Sequence, residues 1–165
     1  MKSTPQTEVK MRNIVLLRID DRLLHGQVVV SWIPRLNVNE VLVIDDEYAK
    51  DEFMKEIIKN SGPENISVYV LTAEDSIPFI KEGSERNRVL VLSRNIENAV
   101  RLSKSVKIES VNIGGLGAAP GRKRYYNSIH LSENELDILK SIAKNNIRVE
   151  VKMLPNEKSI LIDGK

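Results

Sequence analysis

Short, unbroken runs of Val, Ile and Leu recur along this chain, each separated from the next by an amphipathic stretch. A strand half-exposed to water alternates apolar and polar residues; one buried on both faces does not. The runs at Asn13–Ile19, Glu40–Ile44, Ile66–Leu71 and Arg88–Leu92 are of the second kind, and Glu109–Ile113 and Ile147–Met153 read as further strands. Aromatics are only 4% of the residues, so the core must come from these aliphatic side chains. The intervening stretches carry helix signals. Asp46 is placed to cap a helix with Tyr48, Phe53, Met54, Ile57 and Ile58 on one broad face, stopped by Gly62-Pro63. Thr72 with Asp75, and Ser132 with Glu135, have the capping-box spacing; Asn95 can cap a helix through Lys104. Gln27–Ile33 is rich in β-branched residues, yet parallel strands need a crossover, so a helix is expected there with Pro34 near its end. The pattern predicts a single α/β domain, an open, mostly parallel sheet with helices on both faces. The domain is expected over residues 11–165, after a polar, flexible leader, Met1–Lys10.

In such sheets ligands sit beyond the carboxyl ends of the strands. That rule singles out Ile19–Gly26, Asp45–Glu47 and Gly114–Arg124. The chain has no cysteine, which excludes thiol and disulfide chemistry and fits a reducing cytoplasm. Its two histidines, His25 and His130, form no recognisable zinc spacing. A net charge of +2 is too balanced to suggest nucleic acid, and no apolar run could span a membrane.

The first of those loops carries the chemistry. In Arg18-Ile19-Asp20-Asp21-Arg22-Leu23-Leu24-His25-Gly26-Gln27, a histidine stands between a strand end and a helix start among two arginines and two carboxylates. Helix-start amides and guanidinium groups suit phosphate. A carboxylate such as Asp20 could hold one imidazole nitrogen as N–H, so that the other keeps a lone pair for attack on phosphorus. Those are the parts that in-line phosphoryl transfer needs, with Asp21, Gly26 and Gln27 as the candidate phosphate-binding loop. On physics alone, a solvated loop of internal ion pairs fits the same residues about as well.

The segment Arg18–Val28 resembles the signature of the IIB components of the mannose–fructose–sorbose family of the bacterial sugar phosphotransferase system. Trp32 follows at the family's spacing, Val41–Asp51 resembles its second strand and acidic helix start, and Val111–Gly115 with Gly121 and Arg122 resembles its glycine loop. The likeness spans about residues 12–155. It implies a phosphocarrier that takes a phosphoryl group from a IIA phosphohistidine onto His25. It then passes the group to a sugar, a hexose or N-acetylhexosamine, translocated by membrane IIC and IID subunits. The signature arginines map onto Arg18 and Arg22. The resemblance implies no cofactor or metal, and a cytoplasmic protein peripherally associated with its transporter. Leu116 departs from the family, which commonly has Met there.

Gly114–Arg124 reads equally as a plain connection or as a border of the His25 site, with Gly114, Gly115 and Arg122 its candidates. It has neither dinucleotide nor P-loop glycine spacing. Arg122-Lys123-Arg124 reads first as a solvated charge run, and His130 as structural. Two other functions compete. A histidine phosphatase or mutase would want Arg where Leu24 stands, and a second histidine, for which His130 is the sole candidate. A receiver-like binding module would use Asp45 and Asp46, but the strand ending Leu92-Ser93-Arg94 lacks the acid it needs.

Overall fold

A computed structural model describes residues 10–165; the expected leader lies almost entirely outside them. The aliphatic runs form the middle of one seven-stranded sheet. Its strands are β1 (Asn13–Asp20), β2 (Glu40–Ile44), β3 (Ser67–Leu71), β4 (Arg88–Ser93), β5 (Ser110–Gly115), β8 (Arg148–Val151) and β9 (Ile160–Ile162), in the order β3-β2-β4-β1-β5-β8-β9. All neighbours are parallel except β9, which runs antiparallel to β8. The helices are α1 (Ile33–Leu36, preceded by a π-helical stretch, Val28–Trp32), α2 (Glu52–Asn60), α3 (Ala73–Lys81), α4 (Ile96–Ser105) and α5 (Glu133–Ala143). Helices cover both faces. Val28, Trp32, Ile33 and Ile58 pack with Leu16, Val43, Val70 and Leu90 on one side. Ile80, Leu102 and Leu139 pack with Leu17, Leu42, Val91 and Ile113 on the other. Neighbouring residues of one strand thus enter opposite cores, which is why the runs do not alternate.

The first crossover is helical, as topology requires, but not simply α-helical. The Ile33 amide donates to Val28 O, five residues back. Pro34 accounts for the wider turn. It has no amide to donate and would crowd the carbonyl four residues earlier in an α-helix.

Three expectations need correction. Asp46 does not cap α2; Asp51 does, accepting from the Met54 amide at 3.1 Å. Asp45 closes the preceding turn by accepting from Glu47 and Tyr48, and Asp46 accepts from the Ala73 amide at the start of α3. The carboxylates that precede α2 in sequence are therefore already used, and the helix starts later. Its supposed apolar face is largely exposed: Phe53 is 74% and Ile57 44% accessible, and only Ile58 is buried. Second, β5 runs on through Gly114 and Gly115, where the glycines suggested a strand end. Third, the glycine-rich connection leads into a hairpin of β6 (Lys123–Tyr126) and β7 (Ile129–Leu131), turned at Asn127 with φ +48°. Neither this hairpin nor β9 has an apolar run long enough to be read in advance.

The Ser132 capping box is present in full. Ser132 Oγ accepts from the Glu135 amide at 3.0 Å, and Glu135 Oε2 accepts from the Ser132 amide at 2.9 Å. Ser132→Ala should cost about 1 kcal/mol and lower the melting midpoint by roughly 2–4 °C, read by thermal unfolding.

Candidate functional site

At the carboxyl end of β1, the central strand, the chain turns sharply and enters the first helix. Leu23 takes a left-handed backbone conformation, φ +54°, which a branched side chain adopts only at a cost. Burial holds it: Leu23 and Leu24 are anchored in the core beneath the first two helices. His25 emerges directly after this anchor and accepts the first helical bond, from the Val29 amide. Its side chain is 18% exposed. Gly26 has open space where a side chain would stand, and the amides at this helix start have no partner within the helix.

Asp20 is the centre of the site. It is fully buried. Its Oδ1 accepts from the Arg22 amide (3.0 Å) and Arg22 Nε (3.1 Å). Its Oδ2 accepts from Arg18 Nη2, Arg22 Nη2 and His25 Nε2, each at 3.1 Å. Burial by itself would raise this carboxyl's pKa; the Arg22 side-chain and backbone bonds, the His25 bond and the Arg18 charge together outweigh it and lower it. Asp20 is therefore ionised and can only accept, so Nε2 of His25 carries the ring proton. Nδ1 has no protein partner among the described residues.

The two arginines differ. Arg18 has no solvent exposure and spends its guanidinium on Asp20, the Asn112 side chain and the carbonyls of Lys152 and Met153. Burial pulls its pKa below the ordinary value, and Asp20 restores part of it. Arg22 is 43% exposed and grips Asp20 in a two-point fork. The glycines of β5 make room for both charges. A Cβ on Gly114 would overlap the Arg18 guanidinium, and one on Gly115 would come within 2.7 Å of Asp20 Oδ1.

The remaining candidates lie around this centre. Asp21 accepts from the Gly117 amide at 2.8 Å, tying the glycine-rich loop to the His25 turn. Arg122 pairs with Glu135 at 2.8 Å and donates to Gly117 O, so its charge pins that loop to α5. Gln27 is exposed at the helix start. His130 lies on β7 and its Nδ1 is engaged by the Ser128 carbonyl, outside the Asp20 cluster. Asp45 is held by Arg94 at 2.6 Å. No group of three or more potential metal ligands occurs among the described residues. Asn112 was missed from sequence, where it read only as part of a glycine loop.

With this geometry in place, similarity to known proteins is decisive. The profile of the family described as "PTS system sorbose subfamily IIB component" matches residues 14–163. The chain belongs to this family. Among its relatives, the fructose-specific EIIB component of Bacillus subtilis (strain 168) is 28% identical over 151 residues, 90% of this chain and 93% of the relative. The mannose-specific EIIAB component of Escherichia coli (strain K12) is 31% identical over 146 residues; that match covers 87% of this chain but only 45% of the longer relative. The crystal structure of manxB from Thermoanaerobacter tengcongensis superposes with a TM-score of 0.85 at 33% identity, covering 93% of this chain and 94% of that one. The IIB assignment does not favour the phosphatase and receiver readings. No described helix is long and apolar enough to cross a membrane.

Asp20→Asn should destabilise the fold by roughly 3 kcal/mol near neutrality, because Arg18 is left buried beside a neutral group. The pKa of Asp20 is lowered by folding. Its contribution is therefore complete above the ordinary carboxylate range and is lost as pH falls through the lower folded-state value. Urea unfolding should show the gap between wild type and Asp20→Asn narrowing below about pH 4.

Proposed function

We propose that this protein is a phosphocarrier transferase: His25 accepts a phosphoryl group from a IIA phosphohistidine and passes it to a sugar at a membrane transporter. The observation that carries this reading is the bond between His25 Nε2 and the buried Asp20 carboxylate, which leaves Nδ1 as the ring's available lone pair. In the first transfer, the Nδ1 lone pair attacks phosphorus in line with the donor's P–N bond. The new P–N bond forms as the old one breaks, and the donor imidazole leaves with its electron pair. Positive charge grows on the His25 ring, and Asp20 is already placed to stabilise it. Arg22, half in solvent and fixed by Asp20, supplies charge toward the phosphoryl oxygens, and the Gly26 and Gln27 amides supply further donors. Arg18 is assigned a supporting role, because its donors are turned inward. In the second transfer a sugar hydroxyl oxygen bonds to phosphorus as the P–Nδ1 bond breaks; the electron pair returns to Nδ1 and the hydroxyl proton is lost to solvent. This chemistry calls for no cofactor or metal on the chain.

The partners are a IIA protein or domain and membrane IIC and IID subunits, with the protein on the cytoplasmic side, peripherally associated. Relatives are named for mannose, fructose, sorbose and N-acetylgalactosamine, and the sugar proposed is a hexose or N-acetylhexosamine.

Incubation with a labelled, phosphorylated IIA donor tests the proposal. Wild type should gain label that is lost in acid and kept in base, as a phosphoamidate is. His25→Ala should gain none, and label retained by that variant would sink the reading.

A further inference from the structure

Arg18 is a buried cation that reaches His25 only through Asp20, so whatever fixes Arg18 fixes the carboxylate and the ring behind it. Four groups surround its guanidinium besides Asp20. Asn112 Oδ1 accepts from Nη1 at 2.5 Å, and Lys152 O accepts from the same nitrogen at 3.1 Å. Met153 O accepts from Nη2 at 3.1 Å. The Trp32 ring lies with its centroid 4.8 Å from the guanidinium carbon. Asn112 and Trp32 also reach past Arg18 to the turn that follows β8. Asn112 Nδ2 donates to Lys152 O at 3.0 Å, and Trp32 Nε1 donates to Met153 O at 2.9 Å. Each of these two consecutive carbonyls thus takes two side-chain donors, which uses both of its lone pairs. All three side chains are buried, Trp32 at 4% and Arg18 and Asn112 at 0%.

We infer that Asn112 and Trp32 are positioning residues for His25, acting through Arg18 and Asp20, with the Lys152–Met153 turn as their anchor. The path crosses three neighbouring strands. Asn112 lies on β5 beside Arg18 of β1, and the anchoring carbonyls follow β8 on the other side of β5. Asp20 Oδ2 has three donors, and of these only Arg18 comes from the interior. Arg22 and His25 lie at the surface, where solvent and partner contacts can move them. Arg18 therefore sets where Oδ2 sits. An error there is carried directly to the Nε2–H bond and to the direction in which Nδ1 points. Small errors of aim in a supporting shell are costly in a transfer that must be in line.

This inference rests on His25 being the carrier, and its test separates the two ideas. Trp32→Phe keeps an aromatic face and deletes one N–H; Asn112→Leu deletes both polar contacts. Exchange of the His25 ring N–H with water is followed by NMR on isotope-labelled protein without donor, and phosphoryl acceptance is followed kinetically. Both variants should exchange this proton about tenfold faster and accept phosphoryl about tenfold more slowly in kcat, with KM for the donor unchanged. Thr72→Ala, which removes the cap of α3 beside the far edge strand β3, should leave ring exchange as in wild type. Unchanged ring exchange and kcat in the folded variants overturns the inference, as does an equal acceleration of exchange in Thr72→Ala. If Asn112→Leu fails to fold, Trp32→Phe decides alone. Label retained by His25→Ala would instead overturn the carrier assignment, and leaves the ring-exchange result standing.

Discussion

The ion pair between Arg18 and Asp20 is the constraint around which this protein is arranged. Both groups are excluded from water at the end of the central strand. Desolvating two charges costs several kcal/mol apiece unless each is fully hydrogen-bonded. The fold comes close to that requirement with five donors on Asp20 and four side-chain bonds from Arg18, which leave only the buried Arg18 Nε without a partner. Other local choices follow from it. Gly114 and Gly115 leave out side chains that would occupy the charges' space. The tryptophan of the first crossover lies against the guanidinium, and the turn after β8 offers its carbonyls. So dense a network makes weak evidence for stability, since apolar groups could fill the same volume at less cost. Its value lies in a carboxylate that is ionised, immobile and aimed.

A relay histidine, the role proposed for His25, faces opposing demands. It has to be exposed enough to meet a donor and an acceptor in turn, yet held well enough that its free nitrogen points outward each time. The structure divides these demands between the two sides of the ring. The Nε2 edge faces a buried carboxylate, and the ring projects from a turn whose hydrophobic anchors, Leu23 and Leu24, lie just before it. The left-handed backbone at Leu23 is the local strain this placement requires. The glycine-rich loop is fastened to the same turn through Asp21 and Gly117 and to α5 through Arg122 and Glu135. Residues that read as possible phosphate ligands thus hold the frame of the site.

Much of the fold was legible because it rests on short-range signals. The aliphatic runs specify strands buried on both faces, and the caps at Thr72 and Asn95 and the capping box at Ser132 start helices where spacing says they should. The misreadings share one cause. At Asp46 an acid with the right chemistry for a cap was claimed by α3 across the sheet. At Gly114-Gly115 the absence of side chains signified a close approach by β1 rather than the end of a strand. The hairpin and the edge strand β9 bury only Ile129, Leu131 and Ile162 between them, so neither carries an apolar run long enough to read.

By itself, the sequence determined the fold class and singled out His25 as the group proposed to react, because hydrophobic periodicity is local and the loop from Arg18 to Gln27 brings its chemistry together in a single stretch of chain. Only the tertiary structure decided the division of labour within that loop. Arg18 and Arg22 are the same residue type four positions apart, yet one is buried by β5 and the turn after β8 while the other faces solvent. Which imidazole nitrogen stays free was decided in the same way. It depends on where Asp20 Oδ2 stands, and that is fixed by contacts from residues more than ninety positions away in the chain.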